Sequence, residues 1–83
     1  MENYSKSLLL NNLAYYRKLR NLTQTQLAYE VGVSRNTISS LENRLYCPSL
    51  TLAIKISRCL NVCIESIWFY EPSRLVKNPH SNY

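Results

Sequence analysis

Side chains able to do covalent or metal chemistry are few in this sequence, and their spacing serves neither purpose. Three Cys, one His and five acids stand among 83 residues. Cys59 and Cys63 are four apart, Cys47 is isolated, and no C-x-x-C pair occurs. A structural zinc site takes four nitrogen or sulfur ligands, and the one histidine, His80, sits in a polar stretch. The sequence offers no carboxylate pair, no Ser/His/Asp set and, with a single Gly, no glycine-rich phosphate loop. The expectation is no enzyme, no metal, no cofactor and no evident small-molecule ligand. The thiols are expected to be unpaired and mostly buried, as suits a reducing cytosol.

What remains is charge and hydrogen bonding. Lys and Arg number 10 against five acids, a formal charge of +5. That excess suits a polyanion such as DNA, but also an anionic membrane surface or plain solubility. The densest polar group is Arg35, Asn36, Ser39, Ser40 and Asn43, interleaved with Ile38 and Leu41 at helical spacing. It makes an outer face that is polar and, but for Arg35, uncharged. Basic residues do not gather opposite one apolar stripe, which disfavours a membrane-surface helix. Seven Tyr invite base stacking on single strands, but they are scattered through helices and chain ends with no sheet to display them. Tyr16 suits a core.

The elements that position these side chains follow from caps and periodicity. From Asn11 or Asn12 the pattern turns helical: Leu13, Tyr16 and Arg20 share a face with Arg17 beside it, Asn12 is the expected N-cap, and the helix should end near Asn21. Thr23 with Gln26 three residues later reads as a capping box, opening a helix over Gln24 to Val31 with Leu27, Ala28 and Val31 inward. Gly32 suits the left-handed conformation that stops it. Ser34 caps a third helix, Arg35 to about Asn43, with Asn43 expected to carry the closing left-handed turn because Arg44 follows it. Pro48 bars an earlier helix from continuing, and Ser49 caps the fourth. Its expected core stripe is Leu50, Ala53, Ile56 and Leu60, with Leu52, Ile54 and Cys59 outside it and Asn61 as its stop. A last short helix is expected from about Ile64 to Trp68. Trp68-Phe69-Tyr70 reads as a strand able to pair with Leu8–Leu10.

Fold class and organisation follow. One Gly and three Pro are too few for a turn-rich β fold. The chain is read as all-α, a compact domain of five helices with a short two-stranded β ribbon from the chain ends. Residues 1–7 are expected to be loose, 8–71 to form the domain and 72–83 to be a flexible basic tail. No apolar run approaches the ~18 residues of a membrane span. The start, Met1-Glu2-Asn3, lacks the pattern of a signal peptide. A cytoplasmic location is expected.

The run from Gln24 to Glu42 resembles the Cro/repressor-type (xenobiotic-response-element) helix-turn-helix domains. The motifs are Leu22-Thr23-Gln24 before the second helix, Val33-Ser34-Arg35-Asn36-Thr37-Ile38-Ser39 opening the third, Leu41-Glu42-Asn43 closing it, and Cys47-Pro48-Ser49-Leu50 opening the fourth. The ending Leu60-Asn61-Val62-Cys63-Ile64-Glu65-Ser66-Ile67-Trp68 resembles the family's last turn and helix, so the likeness runs from about Asn12 to Trp68. Within the family the chain is similar to small dimeric regulators such as the enterococcal cytolysin repressor. It departs from the usual pattern at Arg44 and Asn61, where Gly is common, at Cys63, where Ser or Thr caps, and at Tyr16, where Leu or Ile packs.

The resemblance implies a lambda-repressor-like fold and a sequence-specific regulator, a repressor, of double-stranded DNA. Its third helix would enter the major groove. Carried over by position, Arg35, Asn36, Ser39 and Ser40 would read base edges. Gln24, Ser34, Thr37, Asn43 and Arg44 would hold phosphates. Arg17 and Glu42 would form a structural ion pair. For Gln24 and Ser34 the plainer alternative is capping, and for Arg35, Arg17 and Glu42 it is a solvated charge. Specificity would come from a homodimer on a palindromic operator. The apolar surplus of Leu52, Ile54, Cys59, Trp68 and Phe69 would either form the dimer seam or extend the core. The other reading is an antitoxin or restriction-controller type protein-interaction module built on the same domain.

Overall fold

The computed structural model describes residues 9–71. The expectations for residues 1–7, for Leu8 and for the tail at 72–83 lie outside the described residues. The order is β1 (Leu10–Asn11), α1 (Leu13–Leu19), α2 (Gln24–Val31), α3 (Arg35–Glu42), α4 (Leu50–Leu60), α5 (Ile64–Ile67) and β2 (Trp68–Phe69). The five helices and the antiparallel ribbon match the expected fold class.

Caps set most helix starts. The Thr23 hydroxyl accepts from the Gln26 backbone N–H at 3.0 Å while the Gln26 side chain accepts from the Thr23 N–H at 2.8 Å, completing the capping box. Ser34 and Ser49 accept from the Thr37 and Leu52 backbone N–H groups at 3.2 and 3.1 Å. The start of α1 differs from expectation. Asn12 occupies the N-cap position, but its side chain makes no capping bond. Asn11 caps instead, its Oδ1 accepting from the Leu13 N–H at 3.0 Å. The Asn12 side chain reaches across to the Ser66 carbonyl at 3.4 Å.

The first four helices share one way of stopping. A residue one or two places past each end is left-handed: Asn21 (φ 59°), Gly32 (φ 79°), Arg44 (φ 62°) and Asn61 (φ 59°). At α3 the Arg44 N–H bonds the Leu41 carbonyl and the Leu45 N–H bonds the Ser40 carbonyl, the two bonds of a Schellman turn. This corrects the expectation for Asn43, which stays near helical at φ −89° and donates its side-chain N–H to the Ser39 carbonyl. The Schellman geometry puts the left-handed residue one place later. A non-glycine side chain there costs about 1–2 kcal/mol.

The core is Leu13, Leu27, Val31, Ile38, Leu41, Ile56, Leu60 and Ile67, closed by Ala28, Leu52, Ala53 and Trp68. In α4 the register differs from the expected stripe. Leu50 is 72% exposed and Leu52 is buried. At about 100° per residue, Leu52, Ala53, Ile56 and Leu60 fall within an arc of about 100°, and Leu50 lies outside it. Leu50 and Ile54 instead share the opposite side of the helix.

The ribbon pairs Leu10 with Phe69 and Asn11 with Trp68. The Asn12 N–H continues the ladder to the Ile67 carbonyl at 2.8 Å. Asn11 Nδ2 donates to the Leu41 carbonyl at 3.0 Å, so the ribbon is fastened to the end of α3. Tyr16 is half-buried against the core, edge-on to Tyr15 with ring centroids 5.0 Å apart. The expectation of mostly buried thiols fails: Cys47 and Cys63 are exposed, and only Cys59 is partly covered. The cysteines are not joined by disulfides. Both exposed thiols fall in or beside inter-helix turns, where the chain has no second layer to cover them.

Candidate nucleic-acid interface

α3 presents its polar face because its apolar side is fully used. Ile38 and Leu41 sit in the core, which turns Arg35 and Asn36 to solvent and leaves Ser39 and Ser40 half-covered beside them. α2 braces this helix from behind through Ala28, small enough for close approach, with Leu27 and Val31 flanking it.

A buried polar cluster fixes where α3 ends. Arg17 Nε lies 2.6 Å from Glu42 Oε2, and both side chains are 9% exposed. Arg17 Nη2 reaches Oε1 at 3.3 Å, and Nη1 donates to the Leu22 carbonyl at 2.8 Å. Gln24 Nε2 donates to the same Glu42 Oε1 at 2.9 Å. The carboxylate thus receives donors from α1 and α2, which compensates the burial of two charges. From sequence, Gln24 is a phosphate candidate separate from the ion pair; the structure joins them in one network.

Gln24 also borders a hollow of about 470 Å³ between the end of α1 and the start of α2, lined by Lys18, Asn21, Thr25 and Arg35 among others. Arg17 lines it too, but its charge is matched by Glu42. Lys18 and Arg35 supply the hollow's positive charge. Sequence reasoning passed over Lys18. The available signal was its place in the last turn of α1, next to Arg17 and just before the chain turns into α2.

The other phosphate candidates are more committed. Ser34 Oγ accepts from the Thr37 N–H and lies 3.1 Å from Thr37 Oγ1. Asn43 spends a side-chain N–H on Ser39. Arg44 is half-buried in the left-handed turn. A second, shallower hollow of about 280 Å³ lies beside the face of α3, lined by Asn36, Thr37, Ser40 and Tyr46.

The residues expected at a dimer seam do not form one surface. Leu52 and Trp68, at 7% and 8% exposure, belong to the single chain's core. Ile54 and Cys59 are five residues apart on α4, about 140° around the helix, so they face different ways. Phe69 is half-buried in the ribbon opposite Leu10.

Residues 13–65, from the first residue of α1 into α5, match the helix-turn-helix family. The chain belongs to the Cro/C1-type helix-turn-helix family. In this helix-turn-helix domain α2 and α3 are the two helices of the motif, joined at Gly32. It is 54% identical over 61 residues to an HTH-type transcriptional regulator of Methanocaldococcus jannaschii, covering 74% of this chain and 92% of the relative. It is 32% identical over 62 residues to the control protein C.SmaI of Serratia marcescens, covering 75% of this chain and 74% of that one. Among solved structures, it superposes on the biofilm master regulator SinR in complex with DNA with a TM-score of 0.61 and 31% identity. That match covers 65% of this chain and 87% of SinR's. The family is not enzymatic. Among the described residues, no helix is long and apolar enough to cross a membrane.

Proposed function

We propose that this helix-turn-helix protein is a cytoplasmic transcriptional repressor that binds a palindromic double-stranded operator as a homodimer. α3 lies in the major groove, and Arg35 and Asn36 read base edges with Ser39 and Ser40 beside them. The observation that carries this is the exposed polar face of α3, held in pose by the buried Arg17–Glu42–Gln24 cluster. A guanidinium fork matches guanine O6 and N7, and a carboxamide matches adenine N6 and N7. A cation at a helix N-terminus opposes the macrodipole, so Arg35 at the first position of α3 gains most from an acceptor supplied by DNA.

Backbone phosphates take the remaining positions. Lys18, Gln24 and Arg35 line the hollow at the start of α2, and a helix N-terminus favours an anion. Ser34, Asn43 and Arg44 flank α3 and, with the Thr37 hydroxyl, set register rather than sequence preference. Repression follows from occlusion, since an occupied operator excludes polymerase. The dimer is supported by Leu50 and Ile54, one turn apart and 72% and 40% exposed on the side of α4 away from the core.

The experiment is selection from a random duplex pool, followed by titration of the selected site with Arg35→Ala and Asn36→Ala. Each variant should lose about 1–3 kcal/mol of discrimination at its own base pair. A folded double variant with unchanged affinity and base preference would overturn the assignment. Likeness to the control protein C.SmaI keeps a second reading in view, a controller or antitoxin-type module whose main contact is a protein. That reading predicts no selected DNA site.

A further inference from the structure

Tyr46 has no role in the network or in the base contacts above, yet it stands beside them. It lies in the turn between α3 and α4 and is 46% exposed. With Asn36, Thr37 and Ser40 it lines the hollow of about 280 Å³ on the flank of α3. Thr37 Oγ1 is 3.1 Å from Ser34 Oγ, so the Thr37 hydroxyl already has a partner. The hollow therefore brings an aromatic residue and a threonine together with a carboxamide and a serine.

The turn that carries the ring is anchored on both sides. Upstream, the Schellman turn at Arg44 pins the chain through the Leu45 N–H to the Ser40 carbonyl at 3.0 Å. Downstream, Pro48 fixes the backbone before the Ser49 cap. A backbone fixed in advance leaves only the side chain's own rotamers to be ordered when something packs on the ring.

Resting on the reading of α3 as the groove-binding helix, we infer that Tyr46 is a specificity-determining residue whose ring, with the Thr37 methyl, receives the C5-methyl group of a thymine. The thymine methyl is the one apolar group on the base edges in the major groove. Asn36 borders the same hollow, and any adenine it reads is paired to a thymine whose methyl projects into the same groove. The surface adjoins the base-reading face, so DNA docked on α3 places base edges beside it. The consequence is a preference for A·T at one position per half-site, next to or within the pair read by Asn36.

The test uses the full chain and a duplex chosen from a random pool. Each thymine is replaced in turn by deoxyuridine, which removes the methyl and keeps base pairing. At one position per half-site the wild-type protein should lose about fourfold in affinity, the worth of one buried methyl. Tyr46→Ala should bind the thymine duplex at least fourfold more weakly and should not distinguish thymine from uracil there. Tyr46→Phe should behave as wild type. Thermal melts confirm that both variants fold, and the uracil scan on wild-type protein needs no variant at all. Wild-type protein indifferent to every uracil overturns the inference. So does a Tyr46→Phe loss equal to that of Tyr46→Ala, which would mean a hydroxyl-to-phosphate contact. Arg35→Ala run alongside separates the two failures: if it still loses specific binding, the groove assignment stands and only the Tyr46 role falls. If the pool yields no preferred site, both fall.

Discussion

Gln24 donates to Glu42 Oε1 at 2.9 Å on the same carboxylate that Arg17 grips through Oε2 at 2.6 Å. One buried acid thereby ties the last turn of α3 to α1 and to the first residue of α2. Removing Glu42 leaves the Arg17 guanidinium buried without its counter-charge. Glu42→Ala should therefore cost about 3–5 kcal/mol of stability, read as the urea unfolding midpoint. Gln24→Ala, which removes one hydrogen bond at a half-buried position, should cost about 1 kcal/mol. Replacing both ions together, Arg17→Met with Glu42→Leu, should restore most of the stability lost in the single variant. If Glu42→Ala melts like wild type, the cluster is not holding α3.

Under the proposed docking, Lys18 meets DNA through its charge and not through any base. Lys18→Ala should weaken binding evenly across operator variants. It should also flatten the slope of log K against log salt by about two, about one for each protomer of the proposed dimer. Base preference in a competition series should stay as it was. A changed preference with an unchanged slope would remove Lys18 from the phosphate contacts.

The outward side of α4 supplies a test of assembly. Leu50 and Ile54 contribute little to the single chain's core, so Leu50→Glu and Ile54→Glu should leave stability within about 0.5 kcal/mol. Two like charges brought together across a two-fold seam repel, so each variant should sediment as a monomer where the wild type, on the proposed assembly, should sediment as a dimer. Operator affinity should fall with it, because one domain alone reads only a half-site. Dimers that persist in both variants would place the seam elsewhere.

The thiols should differ in reactivity. Burial, and then the nearby Glu30 charge, push the Cys59 thiol above its ordinary range. Thiolate is the reactive form, so iodoacetamide at mildly alkaline pH should modify the exposed Cys47 and Cys63 before Cys59, as peptide mass mapping would show. The same shift has a sign for stability. The folded state holds this proton more tightly than the unfolded chain does, so it binds more protons between the two values. The Cys59 contribution is complete below the ordinary thiol range and is lost as pH rises through the folded value. Cys59→Ala should flatten the alkaline fall of the unfolding midpoint. Identical alkaline profiles for the two proteins would contradict the shift.

Helix existence and most helix starts were legible in the sequence because they rest on local chemistry. Thr23 with Gln26, and Ser34 and Ser49, cap where they were expected, since a hydroxyl reaches a backbone N–H only three residues away. The inward faces of α2 and α3 were legible for a similar reason, as each short helix carries a single apolar stripe. The fourth helix was not. α4 is apolar on two sides, so periodicity alone could not say which of Leu50 and Leu52 turns inward, and packing chose Leu52.

Long-range partners lay beyond sequence reading because nothing local specifies them. Asn11 replaced Asn12 as the cap of α1 once the ribbon fixed the chain's entry there, with Asn11 also held to Leu41. The union of Gln24 with the Arg17–Glu42 pair, and the place of Lys18 and Tyr46 beside the face of α3, exist only when α1, α2 and the turn after α3 are stacked. By itself the sequence determined the helices, the hydroxyl caps of three of them and the polar face opening at Arg35. The tertiary structure decided which distant side chains meet around that face, because such contacts depend on how whole helices cross and not on the few residues nearest each one.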